Sequence, residues 1–439
     1  MNFPKVAEDL AELARDNKTI YLRTDPEILD FTDLNSKHKL ILCGQKLRFT
    51  YEIGKDDLFI LIPLLKNSLF LKEIKVIGWN LKNFYTYVLG ITQKSLIIES
   101  VLIDLKVIEA HAGLPGTAPK TLTEALNRLK ALVESKSWAE TQMIYKKVSM
   151  PLINAVLPHL ETSPILDDNQ QNRFYAYYEL NGQRNGRLKC HQAYKMGFVP
   201  HTLGPKEREA YLPPETDQIF MYFDFRYMEV VMLHYLSQDE QLQELLKKED
   251  FYAALYELIT KNVCKSPEER KKAKNFFLPV MYGEQAFQLS EKLKINKNMA
   301  EVIIQRIQEL FPKALSYLQK YEDEVKATKQ AKDIFGRVRR EFDQAYIARN
   351  FAVQSPAAII CQEKLVKLYF ALKDITKLAY CVHDGYAVYA NKFNWQKVFA
   401  LGYEVLTKES ELCPGLKFKV SCQAGRKLNN LKTIQRKGT

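Results

Sequence analysis

Apolar and polar positions fall into distinct blocks along the chain. Met1 to Lys18 has the spacing of a short amphipathic helix and lacks the apolar core of a signal peptide. Residues 20 to about 110 alternate short apolar runs that read as strands, such as Leu40-Ile41-Leu42 and Phe59-Ile60-Leu61-Ile62, with helical segments, which predicts a small α/β unit. Gly113 to Pro119 carries two Gly and two Pro and is the best linker candidate. Thr121 to Leu160 reads as helix throughout, with Leu126, Leu129, Leu132 and Val133 as its apolar positions. A turn is expected over Ser163 to Asp168, then an aromatic strand from Phe174 to Tyr178 and a turn at Asn185-Gly186-Arg187-Leu188. Ile219 to Phe223 is unbroken in the manner of a buried strand and ends on Asp224. Helical spacing runs, with breaks, from Tyr227 to about Gln330, a basic turn follows at Gly336 to Arg340, and Asn350 to Leu372 is another helix. Last, Leu378 to Val382 and Tyr386 to Ala390 flank His383-Asp384-Gly385, and Asp-Gly between apolar runs signals a hairpin. No repeat or low-complexity tract interrupts the pattern.

Composition adds boundaries. A chain of 439 residues holds two to four domain-sized units, and 46% hydrophobic with 26% charged residues is ordinary for a globular protein. The net charge of +12 favours a polyanionic partner. The seven Cys form no CxxC pair and have no His at zinc-ligand spacing, which fits reduced thiols in a cytoplasmic setting. The longest apolar run, Leu58 to Leu65, is too short to span a bilayer, so a soluble intracellular protein with no membrane partner is expected.

Two constellations carry candidate chemistry. Arg270, Lys274, Leu278 and Tyr282 recur every four residues, which on a helix places two cations, an apolar side chain and an aromatic in one stripe, with Gly283 just beyond. Fixed cations suit a triphosphate and a flat ring suits a base; the competing reading is a solvated basic face. Asp224 and Asp384 end two strands expected to be buried, where acids can converge on Mg²⁺. The competing readings are a helix cap for Asp224 and a type I′ turn residue for Asp384.

Taken together, the motifs resemble those of the family A DNA polymerases. Asp224-Phe225-Arg226-Tyr227-Met228-Glu229, with Tyr235-Leu236-Ser237-Gln238-Asp239 and Glu249-Asp250-Phe251, is similar to the first palm motif. Arg270, Lys274, Tyr282 and Gly283 match the fingers pattern R-x3-K-x7-Y-G, and His383-Asp384 matches V-H-D-E with Gly385 in place of Glu. Asn350 and Gln354 resemble the N-x3-Q helix, and Gly186-Arg187-Leu188 resembles the template–primer motif. All five occur in the family's order.

The resemblance implies an α/β (α+β) right-hand fold of palm, fingers and thumb that extends a DNA primer on a template with dNTPs. It assigns two Mg²⁺ ions, replaceable by Mn²⁺, to Asp224 and Asp384. It assigns the triphosphate to Arg270 and Lys274, and the nucleotide site also to Leu278, Tyr282 and Glu229, Glu229 walling off the 2′ side of the sugar. Arg187, Asn350, Gln354 and His383 would contact the primer–template. The expected domains are an exonuclease-like RNase H-type unit at 1–112, a reduced thumb at 113–165, palm at 166–245, fingers at 246–334 and palm again at 335–439. A processivity partner would make up for the short thumb, and nothing in the sequence names one.

The departures are specific. Gly385 removes the second motif carboxylate, Leu278 replaces an aromatic, Pro279 lies inside the fingers helix, Tyr252 replaces a His, and Lys189-Cys190 replaces Ser-Ser. Gly78 to Phe84 resembles the exonuclease motif G-x-N-x-K-x-D with Phe84 in place of the metal-binding Asp, so no proofreading is expected. Two alternatives compete with the DNA polymerase reading. A single-subunit RNA polymerase shares the R, K, Y-G and H-D pattern but has to admit the 2′-OH, against which Glu229 argues. A non-catalytic nucleic-acid-binding remnant draws on Gly385 and Pro279.

Overall fold

The computed structural model describes residues 1–33, 38–67, 74–93, 101–114, 116–204 and 206–434. The chain forms two units: Met1–Phe225 with Ile359–Lys408 and Lys419–Thr439, and Arg226–Ala358 with Glu409–Phe418.

In the first unit, helix α1 (Phe3–Asp16) precedes strands β1 (Thr19–Asp25), β2 (His38–Cys43) and β3 (Arg48–Ile53), helix α2 (Leu58–Leu65), β4 (Lys75–Gly78), α3 (Leu81–Thr92), β5 (Val101–Asp104) and α4 (Leu105–His111). The sheet order is β3-β2-β1-β4-β5, with β1–β4 and β4–β5 parallel and the other pairs antiparallel. This is the α/β unit that the alternating pattern predicts. One segment within it differs: Phe59 to Ile62 lies in α2, not in a strand. Leu58, Leu61 and Leu65 turn inward there while Phe59 and Ile60 stay exposed, the three- and four-residue spacing that a short, wholly apolar run conceals.

Helices α5 (Leu122–Val133), α6 (Lys136–Ile144) and α7 (Leu157–Glu161), with π-helical turns over Tyr145–Ser149 and Leu152–Val156, make up the expected helical stretch. Pro115 lies outside the described residues. The rest of the linker candidate falls within the first unit, where Arg128 of α5 donates to the Thr117 carbonyl at 2.7 Å and to Glu109 of α4. Ser163 to Asp168 is not simply a turn: Ile165–Asp167 is strand β6, antiparallel to β7 (Arg173–Phe174), and the reversal falls on Gln170. The aromatic strand is likewise shorter than expected. Only β7 and β8 (Tyr178–Glu179) pair regularly, β8 with β9 (Lys189–Cys190), while β10 (Tyr211–Leu212) joins β6. Between β7 and β8, Tyr177 lies outside the paired residues, held by burial and by the His191 N–H on its carbonyl.

One buried ion pair ties this region together. Lys82 Nζ donates to Glu161 Oε1 at 2.6 Å and to the Tyr178 carbonyl at 2.9 Å. Glu161 also accepts from the Thr86 hydroxyl, the Tyr178 N–H and the Tyr194 hydroxyl. A buried carboxylate is tolerated only when its lone pairs are filled in this way.

Strand β11 (Gln218–Phe225) completes the stretch before the second unit. That unit is mainly helical: α8 (Met228–Ser237), α9 (Glu240–Lys247), α10 (Phe251–Thr260), α11 (Pro267–Met281), α12 (Ala286–Leu293), α13 (Lys297–Leu310) and α14 (Pro312–Thr328) precede a hairpin of β12 (Ala331–Lys332) and β13 (Val338–Arg339). Helix α15 (Ile347–Leu372) supplies residues to both units. The chain then adds β14 (Leu378–Val382), β15 (Gly385–Asn391), α16 (Trp395–Thr407), β16 (Val420–Gly425) and β17 (Lys432–Ile434) to the first unit, giving a second sheet of order β14-β15-β11-β16-β17, antiparallel throughout. Gly402 lets α16 close on this sheet, because a Cβ there would stand 2.6 Å from the Phe223 ring. Among the described residues no helix is long and apolar enough to cross a membrane.

Candidate active site

The β11–β15 register sets Asp224 opposite Gly385, one residue from Asp384. Directly opposed residues of an antiparallel pair have Cα atoms about 4.5–5.5 Å apart. The Phe225 N–H also donates to the Asp384 carbonyl at 3.4 Å. Two acids 160 residues apart in sequence thus meet at one end of one sheet, both half-buried. Burial, then the Asp224 carboxylate, Tyr380 and the Asp384 carboxylate push the Tyr222 phenol up, so this ring feels both acids.

The hairpin turn differs from the expected Asp-Gly turn. Val382 pairs with Gly385, so the two loop residues are His383 and Asp384. The left-handed residue is His383, at φ +52, and Gly385 already belongs to the strand. Cys381 fixes the base of the loop, its N–H donating to the Tyr178 hydroxyl at 2.9 Å and its carbonyl accepting from that hydroxyl at 3.0 Å. His383 is exposed, its ring 6.1 Å from that of His201. Arg187 is half-buried after left-handed Gly186, whose carbonyl accepts from Gln362 Nε2 at 2.8 Å. Burial pushes the Cys361 thiol up, Asp384 adds to the rise and Arg187 opposes it, which places both charges within electrostatic reach of one sulfur.

In the second unit, α11 begins with a capping box between Ser266 and Glu269. Ala273, Phe276, Phe277, Val280 and Met281 form its buried face. Arg270, Lys274, Leu278 and Tyr282 fall on the more open side, Lys274 exposed and the others half-buried. Pro279 lies in the last helical turn, and Gly283 ends the helix at φ +100. Arg270 Nε donates to Asp250 Oδ2 at 2.5 Å, and its guanidinium lies 5.5 Å over the Tyr252 ring. The same Asp250 uses Oδ1 to cap α10, accepting from the N–H groups of Tyr252 and Ala253. Burial opposes the Asp250 charge, but the Arg270 hydrogen bond and the two backbone donors outweigh it and hold the carboxyl below its usual range. The Asp250 hydrogen bond in turn raises Arg270.

Two further residues singled out by the sequence meet Tyr282 here. Glu229, in the first turn of α8, accepts from the Tyr282 hydroxyl through Oε2 at 2.7 Å and from Gln354 Nε2 through Oε1 at 3.0 Å. Asn350 lies one turn before Gln354 on α15 and is half-buried. The sequence places Asp250 in the first palm motif without a role, and its alignment of Arg270 is a contact that only the folded chain shows.

The exonuclease-like motif has no exposed acid. Phe84 is packed in the N-terminal core, and Asp104 spends its carboxylate on the N–H groups of Asn80 and Leu81. Among the described residues no group of three or more His, Cys, Asp or Glu is arranged to hold a metal ion.

A family model described as DNA polymerase family A matches residues 97–430. The thermostable DNA polymerase I of Thermus aquaticus is 25% identical over 326 residues, covering 70% of this chain and 38% of that protein. DNA polymerase I of Helicobacter pylori is 25% identical over 256 residues, covering 55% and 28%. The chain therefore spans well under half the length of these curated relatives. A solved structure, the POL domain of Pol1 from M. smegmatis in complex with DNA primer-template and dNTP, has the same fold at a TM-score of 0.75 and 14% identity, covering 97% of this chain and 98% of that one.

Proposed function

The chain belongs to DNA polymerase family A, and from that premise we propose that it is a template-directed, primer-dependent DNA polymerase, transferring a nucleotide from a dNTP to a primer 3′-OH. The observation that carries the reading is the strand register that brings Asp224 and Asp384 to one sheet end. Membership implies dependence on divalent metal in general. The finer proposal is two Mg²⁺ ions, with Mn²⁺ able to substitute. The donor set fits: two half-exposed carboxylates suit a hard cation that keeps several waters and completes its shell with substrate phosphates. When bound, such ions polarise the phosphoryl oxygens and steady the attacking and leaving oxygens of an in-line displacement.

The chain's own residues divide the remaining work. Asp224 and Asp384 hold negative charge where the primer end and the α-phosphate meet. Arg270, aligned by Asp250, and Lys274 neutralise the triphosphate and the departing pyrophosphate. Tyr282 and Leu278 flank the nucleotide. Glu229, fixed by two hydrogen bonds, blocks the 2′ side of the sugar. Arg187, Asn350, Gln354 and His383 steady the primer–template. The domain limits expected from the sequence are retained as proposals, with 1–112 as a worn exonuclease-like unit.

The test is primer extension on DNA and RNA templates, each offered deoxy- and ribonucleotides. Wild type should extend a DNA primer with dNTPs, and long ribonucleotide chains from wild type would favour the RNA polymerase reading. Glu229→Ala should raise ribonucleotide incorporation relative to deoxynucleotide by roughly tenfold or more, the loss of a steric and hydrogen-bonded wall worth about 1–3 kcal/mol. An unchanged ratio would remove Glu229 from sugar selection. No shortening of a 3′-labelled primer is expected with Mg²⁺ and no nucleotides, because Phe84 carries no carboxylate and Asp104 is buried with both oxygens on backbone N–H groups.

A further inference from the structure

Gly385 stands where the motif resemblance expects a carboxylate, and the cause lies across the sheet. Its backbone does not require glycine, since it is absent from the positive-φ residues among those described. Space does. A Cβ built on Gly385 would lie 1.9 Å from the Tyr222 hydroxyl oxygen, 2.3 Å from Cζ and 3.0 Å from Cε2. Real Cβ atoms do not approach so closely, so any side chain at 385 has to displace the tyrosine.

Tyr222 also lies on the face that carries Asp224. It precedes Asp224 by two residues on β11, and residues i and i+2 of a strand share a face. Its ring stacks on Tyr380, centroids 6.2 Å apart at 24°. A cavity of about 340 Å³ lined by Tyr222, Tyr380, Arg208 and Gln423 leaves the ring room to yield. Displacement therefore costs packing and alignment without breaking the sheet.

We propose that Tyr222 is a positioning residue of the polymerase centre: its phenol fills the space of the missing side chain at 385, holds that position as glycine, and sets the spacing of the Asp224–Asp384 pair. This rests on the function proposed above for those acids. The site thereby exchanges a third negative charge for a neutral hydroxyl, which leaves less mutual repulsion between the two acids and less charge to attract cations.

The test is a double-mutant cycle of Gly385→Ala and Tyr222→Ala read in two ways. The first is the thermal midpoint without metal. Gly385→Ala should lower it by about 2 °C or more in wild type, as forcing a side chain against a packed ring does in a large domain, and by almost nothing in the Tyr222→Ala background. The second is the Mg²⁺ concentration at half-saturation for retaining the next dNTP on a dideoxy-terminated primer–template. It should rise at least about threefold in either single variant, with no further rise in the double variant, because coupled neighbours are not additive. Additive effects on the midpoint would overturn the packing claim, and an unchanged Mg²⁺ requirement in Tyr222→Ala would overturn the positioning claim. Failure of wild type to extend a primer would defeat the functional reading alone, since the metal-free cycle still decides whether Tyr222 dictates Gly385.

Discussion

Replacing either Asp224 or Asp384 by Ala should reduce primer extension by at least about 10³-fold, while affinity for the primer–template stays within a few-fold. A bound metal ion supplies several kcal/mol of charge stabilisation in such a transfer, and each 1.36 kcal/mol is a factor of ten in rate. The two losses should be of similar size and not multiply in the double variant, because each acid alone leaves an incomplete site. Folding should be spared: both side chains are half-buried at a sheet end, and β11 and β15 keep their backbone ladder without them. Rates would be read in single turnover beside a thermal midpoint for each variant. Activity surviving in both variants would remove these acids from catalysis, whatever the family membership.

The second large effect is expected at Arg270 and Lys274. Arg270→Ala should raise the KM for dNTP by about 10- to 100-fold, the worth of one hydrogen bond to a charged group at about 1.5–3 kcal/mol. Lys274→Ala should act in the same direction with a smaller effect, as an exposed point charge in place of a forked donor. Duplex affinity and its salt dependence should scarcely change. A residue that contacts the DNA backbone would instead reduce the salt slope by about one unit. Asp250→Asn separates the two roles of Asp250: the α10 cap survives, because Asn also caps, while the ionic hold on Arg270 is lost.

Much of this arrangement was legible in the sequence because its local signals agree. The buried run at Ile219 to Phe223, the four-residue stripe on α11 and the apolar runs around His383-Asp384 each announce one element, and their order matches one family. What was not legible depends on contacts across the chain. Asp-Gly at 384–385 favours a turn over those two residues, yet strand pairing shifts the turn to His383-Asp384, and the reason for Gly385 lies 163 positions earlier in Tyr222. Asp250 belongs to a recognisable motif, and only the folded chain shows one of its oxygens capping α10 and the other on Arg270. Phe59 to Ile62 was misjudged because a short apolar run carries no phase. In the N-terminal unit the motif-like Lys82 has become the partner of Glu161, a buried contact that local pattern cannot reveal.

That Asp224 and Asp384 together hold divalent metal shows more plainly in binding than in turnover. Mn²⁺ binding can be followed by electron paramagnetic resonance in the complex with a dideoxy-terminated primer–template and the next dNTP, comparing wild type with Asp224→Asn and Asp384→Asn. Wild type should take up Mn²⁺ beyond what the dNTP alone binds, and both variants should lose this uptake while still holding the duplex. Equal Mn²⁺ uptake by all three proteins would contradict joint metal binding by the two acids.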